Sequence, residues 1–154
     1  MSEIQYKIEH QMQPDQKSCV STCVAMLLGV PATGQQLVRF QGDYFDDRET
    51  ASSFLRRKGM KNRALLTEDR TMNFGRVYIL SVPSLNNVGG MHAIVVDMRD
   101  VMEIYDPQKG TGKKYYGTDG DGQELVSYNL DVVVDCYDHY RDKMDREKRR
   151  MQDE

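Results

Sequence analysis

The segment CVSTCVAMLLG, from Cys19 to Gly29, decides the architecture predicted for this chain of 154 residues. Within it Cys19, Cys23, Met26 and Leu27 recur at i, i+4, i+7 and i+8. This spacing places all four side chains on one face of an α-helix. The segment therefore predicts a buried helix that begins at a cysteine.

The residues around this helix predict its limits and two more helices. Ser18, or Asp15 if the first turn begins earlier, is the expected N-terminal cap, and Gly29 followed by Pro31 is the expected stop. Further helices are predicted at residues 33–40, opened by a threonine, and at residues 48–58, ended by a glycine.

The second half of the chain changes to the pattern of buried β-strands, which are short apolar runs bounded by turn residues. The predicted strands are Val77–Val82, Met91–Asp97, Val101–Asp106 and Leu130–Asp135. Residues 107–123 contain five glycines and are expected to form turns and loops. Helices first and strands later indicate the α+β class, with N-terminal helices packed on a mainly antiparallel sheet.

The length of the chain suits one domain with a substantial core. We expect that domain to span residues 1–137. Residues 138–154 are almost all charged and predict a C-terminal helix or tail. Residues 1–12 are polar and predict an edge strand or a tail.

The composition narrows the range of partners. A net charge of −3 argues against non-specific binding of nucleic acid. No apolar run approaches the roughly 18–20 residues that span a membrane, and the N-terminus lacks a signal-peptide core.

Three cysteines do not predict a disulfide framework, so we expect a reduced, cytoplasmic protein. The lone C-x-x-x-C pair is a weak metal pattern, and no metal or cofactor is expected. The oligomeric state stays open.

Cys19 is the first candidate for chemistry. At the first turn of a helix, free N–H groups and the helix dipole favour a thiolate, which attacks carbonyl carbons. The alternative is a buried, inert cysteine, and this feature alone favours the alternative. The inert interpretation is stronger still for Cys23, on the apolar face, and for Cys136, after a strand.

His92 and Asp106 are the next candidates. His92 follows two glycines and Met91 at the mouth of a strand, where it can line a cleft, although a structural histidine is an equal alternative. Asp106 ends the next strand outside the core, and Asp-Pro turns are common. If the connecting loop has three residues, so that Asp97 opposes Val101, then His92 faces Asp106 across the hairpin. His10 and His139 are expected at the surface.

Three motifs together resemble the papain-like peptidases that process bacteriocin and double-glycine leader peptides, and their stand-alone relatives. The motifs are QPDQKSC from Gln13 to Cys19 with its helix, GMHAIVV from Gly90, and IYDPQKG from Ile104. They occur in the family's order. The chain differs from the family at three positions. The family often has Asp where this chain has Ser18 and Gly where it has Val20. Met91 is an extra residue between the glycine and the histidine.

The resemblance implies a papain-like fold and a role for each matching residue. Cys19 would be the nucleophile, His92 the base and then the acid, and Asp106 the carboxylate that orients His92. Gln13 would join the Cys19 backbone N–H in an oxyanion hole. The implied function is a cysteine peptidase acting on a peptide or protein. A deamidase or transglutaminase-like enzyme with the same triad, and an inactive papain-like binding module, remain alternatives.

Overall fold

Four α-helices and five β-strands make up the part of the chain that the computed structural model describes, residues 5–64 and 71–152. The helices are α1 (Cys19–Leu28), α2 (Gln35–Phe45), α3 (Ala51–Arg57) and α4 (Tyr137–Gln152). The strands are β1 (Arg63–Ala64), β2 (Val77–Pro83), β3 (Met91–Asp97), β4 (Glu103–Tyr105) and β5 (Asn129–Val134). None of these helices is long and apolar enough to span a membrane.

The strands form one sheet in the order β1-β5-β2-β3-β4. Each neighbouring pair of strands is antiparallel. The helix α1 lies against β3 and also contacts α2 and α3. The predicted α+β class, with helices packed on an antiparallel sheet, is therefore confirmed.

The helix α1 has the limits that the sequence predicted, except that Gly29 is its cap and not its last residue. Ser18 is the N-terminal cap residue, although its side chain makes no capping hydrogen bond. Gly29 has a φ of 69°, the left-handed conformation that glycine adopts without steric cost. Residues 21–28 are all buried, so the helix is apolar on most of its circumference and forms the centre of the core.

The sheet separates two apolar layers. On the helical side, Val77, Ile79, Ala93 and Val95 pack with α1. On the other side, Tyr78, Leu80, Ile94 and Val96 pack with Tyr116, which lies in the glycine-containing loop of residues 107–123. Since both faces are covered, β2 and β3 read as continuous apolar runs in the sequence.

The hairpin between β3 and β4 differs from the prediction. Asp97 pairs with Glu103, not with Val101, so the loop has five residues and the predicted three-residue loop is wrong. The reason is that Met98 still pairs with the chain before β2, where its N–H donates to the carbonyl of Arg76. Because Met98 is held in this bond, the turn to β4 comes later in the chain than predicted.

Other boundaries moved for local reasons. The helix α2 begins at Gln35 after Gly34, two residues beyond the predicted opening. The helix α3 begins after Thr50, which forms a reciprocal capping box with Ser53. The short strand β1 was not predicted, because a two-residue strand is defined only by its pairing with the distant β5.

The segment that begins at residue 5 lies against α4. Residues 5–12 form no strand, so the predicted edge strand is wrong there, and residues 1–4 lie outside the described part. The backbone N–H of Tyr6 donates to the carboxylate of Asp138 in α4, and the hydroxyl of Tyr137 donates to the Leu27 carbonyl. The charged C-terminal segment is thus helical as far as Gln152 and is anchored to the core.

Candidate active site

Cys19 is the first residue of α1, and its side chain is partly buried. The first N–H to donate within the helix is that of Thr22, to the carbonyl of Ser18. The N–H groups of Cys19 and Val20 therefore have no partner inside the helix and are available to an anion.

His92 is the second residue of β3 and is only 9% exposed. Its Nε2 lies 2.6 Å from Oδ1 of Asp106. Cys19 and His92 line one cleft, and each side chain shifts the pKa of the other toward its charged form. Because Asp106 occupies Nε2, Nδ1 is the ring nitrogen left for the sulfur. The structure thus brings Cys19, His92 and Asp106 together, with His92 between the cysteine and the carboxylate.

His92 and Asp106 meet by a different geometry from the one predicted. The β3–β4 ladder ends where Val95 pairs with Tyr105, so the same register places Asp106 level with Ile94. His92 lies two residues further along β3 and on the same face. The predicted direct opposition of His92 and Asp106 is wrong, and the contact is a diagonal one, which side chains of this length span.

The carboxylate of Asp106 is held from several sides and is 1% exposed. Besides its bond to His92, Oδ1 accepts the N–H of Gln108 at 2.8 Å, and Oδ2 accepts the N–H of Tyr116 at 2.8 Å. The expectation of a carboxylate outside the core was therefore wrong. Three donors fix the carboxylate, and the carboxylate in turn fixes the ring of His92.

The electrostatics favour an ion pair between Cys19 and His92. Burial opposes the charge on His92, but the hydrogen bonds and negative charges of Asp106 and Cys19 outweigh it and raise its pKa to about 9. Burial likewise opposes the thiolate, but the His92 bond and charge, with backbone N–H groups of Ala93 and Val20, lower the pKa of Cys19. Both shifts favour the thiolate–imidazolium form of the pair over the neutral form.

A cleft of about 280 Å³ opens onto this pair. Its walls combine apolar and polar side chains from α1, α2, β2 and β3. They are Gln16, Lys17, Cys19, Val20, Tyr44, Phe45, Ser81, Met91, His92 and Ala93. Phe45 and Met91 are exposed at its rim, so the cleft offers apolar surface to a bound chain beside the sulfur.

Gln13 lies next to this cleft but not in its wall. It lines an adjoining cavity of about 170 Å³, and Gln16 lines both. Its backbone N–H donates to the carbonyl of Pro107, and its Nε2 donates to the carbonyl of Asp15 at 2.7 Å. An amide nitrogen carries two hydrogens, so one N–H of Gln13 is left for an oxyanion. The oxyanion role of Gln13 stays a prediction.

The other cysteines lack this setting. Cys23 is fully buried one turn along α1, and burial raises the pKa of its thiol well above the ordinary value. Cys136 is exposed at the surface. Its place after a strand had suggested an enclosed, structural cysteine.

The sequence did not indicate that Tyr116 and His10 contact residues of the site. Tyr116 lies in the glycine-containing loop, yet it is buried, and its hydroxyl donates to the carbonyl of Pro83. His10 is exposed as expected, but its Nε2 lies 2.7 Å from the backbone oxygen of Asp106. Neither contact has a local sequence signal, since both depend on chain segments that are distant in sequence.

A larger cavity of about 490 Å³ lies between the N-terminal segment and the end of α1, lined by Lys7, Gly29 and Arg141 among others. It contains no cysteine, and so the triad cleft is the better candidate for covalent chemistry. Within residues 5–64 and 71–152, no group of three or more His, Cys, Asp or Glu side chains is arranged to hold a metal ion.

Comparison with protein-family models gives no match for this chain. No curated protein and no solved structure matches it either.

Proposed function

We propose that this protein is a papain-like cysteine peptidase that cleaves a peptide or isopeptide bond through a thioester at Cys19. The observation that carries the proposal is the position of His92. Its ring bonds to Asp106 through Nε2, which leaves Nδ1 for Cys19 in the cleft that both residues line. A histidine that serves only the stability of the fold does not need a partly exposed cysteine as its second partner.

The proposed reaction begins at the ion pair. The Cys19 thiolate attacks the substrate carbonyl carbon, and His92, which is already protonated, gives its proton to the leaving amine. The amine departs and a thioester remains on Cys19. Neutral His92 then takes a proton from water as the water oxygen attacks the thioester carbon. The C–S bond breaks, the carboxylic acid leaves, and Cys19 and His92 are again a thiolate and an imidazolium.

Two donors are proposed for the developing oxyanion. The first is the backbone N–H of Cys19, which has no partner within α1. The second is the remaining N–H of Gln13, whose side chain is held by Asp15 and is almost completely buried. Fixed donors at this point lower the barrier because charge develops there only in the transition state.

The papain-like assignment is supported by the order of the parts. A cysteine opens the central helix, a histidine lies at the start of a neighbouring strand, and an aspartate follows the next strand. The three motifs that resemble the leader-processing peptidases contain these same residues. We infer a reducing, cytoplasmic location from the free thiols of Cys19, Cys23 and Cys136.

The test is incubation of the protein with a complex mixture of peptides, followed by mass spectrometry of the products. We expect cleaved peptides from the wild-type chain and from Cys136→Ala, and none from Cys19→Ala. Peptides that keep their length but exchange a glutamine amide for an acid would instead identify a deamidase. If no peptide changes and Cys19 is unreactive, the result would favour an inactive binding module.

A further inference from the structure

Asp131 occupies an irregularity in the sheet close to the triad. In the β2–β5 ladder, Ile79 pairs with Val132, whereas the next residue, Leu80, pairs with Leu130. Asp131 is therefore an extra residue without a partner, which defines a β-bulge. Bulges redirect a side chain, and they are frequent beside active sites.

The side chain of Asp131 contacts the wall of the cleft through Ser81. Its carboxylate accepts a hydrogen bond from the hydroxyl of Ser81, which lies in the wall of the cleft that contains Cys19. Tyr44 lines the same cleft, and burial, with the negative charges of Cys19 and Asp131, raises the pKa of its hydroxyl. The carboxylate thus lies behind Ser81 at the margin of the cleft, and its charge acts on Tyr44 in the cleft wall.

The charge of Asp131 lacks a cation among the described residues. No Lys, Arg or His in residues 5–64 and 71–152 forms an ion pair with it. By contrast, Asp135, just beyond the other end of β5, is neutralised by Arg63 and Arg76. Asp131 keeps solvent-accessible surface, yet the surrounding protein desolvates its carboxylate and raises its pKa, against the bond from Ser81.

We propose that Asp131 and Ser81 form a subsite of the cleft that binds a basic side chain, Lys or Arg, of the substrate beside the scissile bond. The carboxylate would take the charged head, and the apolar side chains of Phe45 and Met91 would cover the methylene stem. The proposal rests on the proposed function only in taking the substrate to be a peptide.

The probes are dipeptidyl chloromethyl ketones that alkylate Cys19. One series carries Lys, norleucine or Glu next to the reactive ketone, and a second carries them one residue further away. Norleucine matches the stem of Lys and lacks its charge. The measured quantity is the ratio of the Lys rate to the norleucine rate at Cys19, with mass spectrometry to identify the labelled residue.

In the wild-type chain we expect this ratio to be roughly fivefold or more in one of the two placements. A factor of this size corresponds to the free energy of one solvent-accessible ion pair. Asp131→Asn should bring it near one, whereas Asp135→Asn should leave it unchanged. Equal Lys and norleucine rates in both placements of the wild-type chain would overturn the proposal, whether or not the variants fold.

The labelling needs only a reactive Cys19, so a chain without hydrolytic activity still gives the answer. Charge selectivity without peptide cleavage would support the subsite and contradict the peptidase. A Cys19 that reacts with none of the probes would contradict both.

Discussion

The ring of His92 reaches Asp106 diagonally across the β3–β4 hairpin, with 2.6 Å between Nε2 and Oδ1. The two residues are not partners in the ladder, because Asp106 lies just beyond its last pair. Backbone N–H groups of Gln108 and Tyr116 hold the carboxylate from outside the hairpin. The position of the imidazole therefore depends on the loop after β4 as much as on the sheet.

Asp106→Asn should lower both the His92 pKa and the stability of the fold. The amide supplies one oxygen where the carboxylate supplies two, so at least one buried donor loses its acceptor, which costs about 1–3 kcal/mol. The loss of the negative charge removes the main support of the imidazolium, and the His92 pKa should fall below about 9. Urea unfolding and NMR titration of the ring measure the two effects.

Asp100→Asn is the matched control for this change, because Asp100 is exposed in the hairpin loop. It should alter neither quantity. A His92 pKa that stays at its wild-type value in Asp106→Asn would show that the carboxylate does not stabilise the imidazolium.

Gln13 and Gln11 offer a comparison between a proposed oxyanion donor and a structural glutamine. The amide of Gln11 bonds to the Val30 carbonyl at 2.7 Å and to the Ala32 N–H at 2.8 Å, whereas Oε1 of Gln13 has no partner among the described residues. Gln13→Ala should reduce kcat roughly a hundredfold or more with little change in KM, as expected for one oxyanion donor. Gln11→Ala should mainly lower stability. Steady-state kinetics and thermal melts separate the two, and an unchanged kcat in Gln13→Ala would remove Gln13 from the mechanism.

The core helix and the central strand were predictable because their signals are local. The apolar stripe of α1, its glycine stop and the run of β3 all lie within a few residues of each other. The position of Cys19 at a helix start followed from the same local pattern. The resemblance of three motifs then placed His92 and Asp106 in the same site.

The remaining features depend on contacts between distant segments. The length of the β3–β4 loop is set by the bond from Met98 to Arg76, and the burial of Asp106 is set by Tyr116, ten residues further along the chain. Asp131 read as an ordinary member of a predicted strand, because a bulge appears only when both strands are known. Periodicity within one segment contains none of this information.

The pH dependence of kcat/KM should have two limbs, because activity requires a thiolate and an imidazolium. On the acid side, protonation of Cys19 lowers the rate, and this limb should lie below the ordinary thiol pKa of about 8.5, since the Cys19 pKa is lowered. On the alkaline side, His92 loses its proton near pH 9 and the rate falls. A rate that rises steadily through pH 9 would contradict the ion pair.

Arg99 should be a main link between the sheet and α4. It is 6% exposed on its side chain and pairs with Asp97 and Asp138, both at 2.7 Å. Arg99→Ala leaves a buried carboxylate without its cation, so we expect a loss of about 3–5 kcal/mol in urea unfolding. The matched control is Arg57→Ala. The Arg57 side chain is 62% exposed, so its pair with Glu49 should contribute only about 0–1 kcal/mol. Equal losses in the two variants would contradict the role of Arg99.

The most direct test of the account is the rate at which iodoacetamide alkylates Cys19 in the native protein at pH 6, measured by peptide mapping. We expect Cys19 to react well before exposed Cys136 and buried Cys23, and His92→Ala to slow Cys19 by about tenfold or more, the effect of one pKa unit. Unfolding should abolish the preference. Equal labelling of the three cysteines, or a Cys19 rate unchanged in His92→Ala, would contradict the claim that His92 activates Cys19 as a nucleophile.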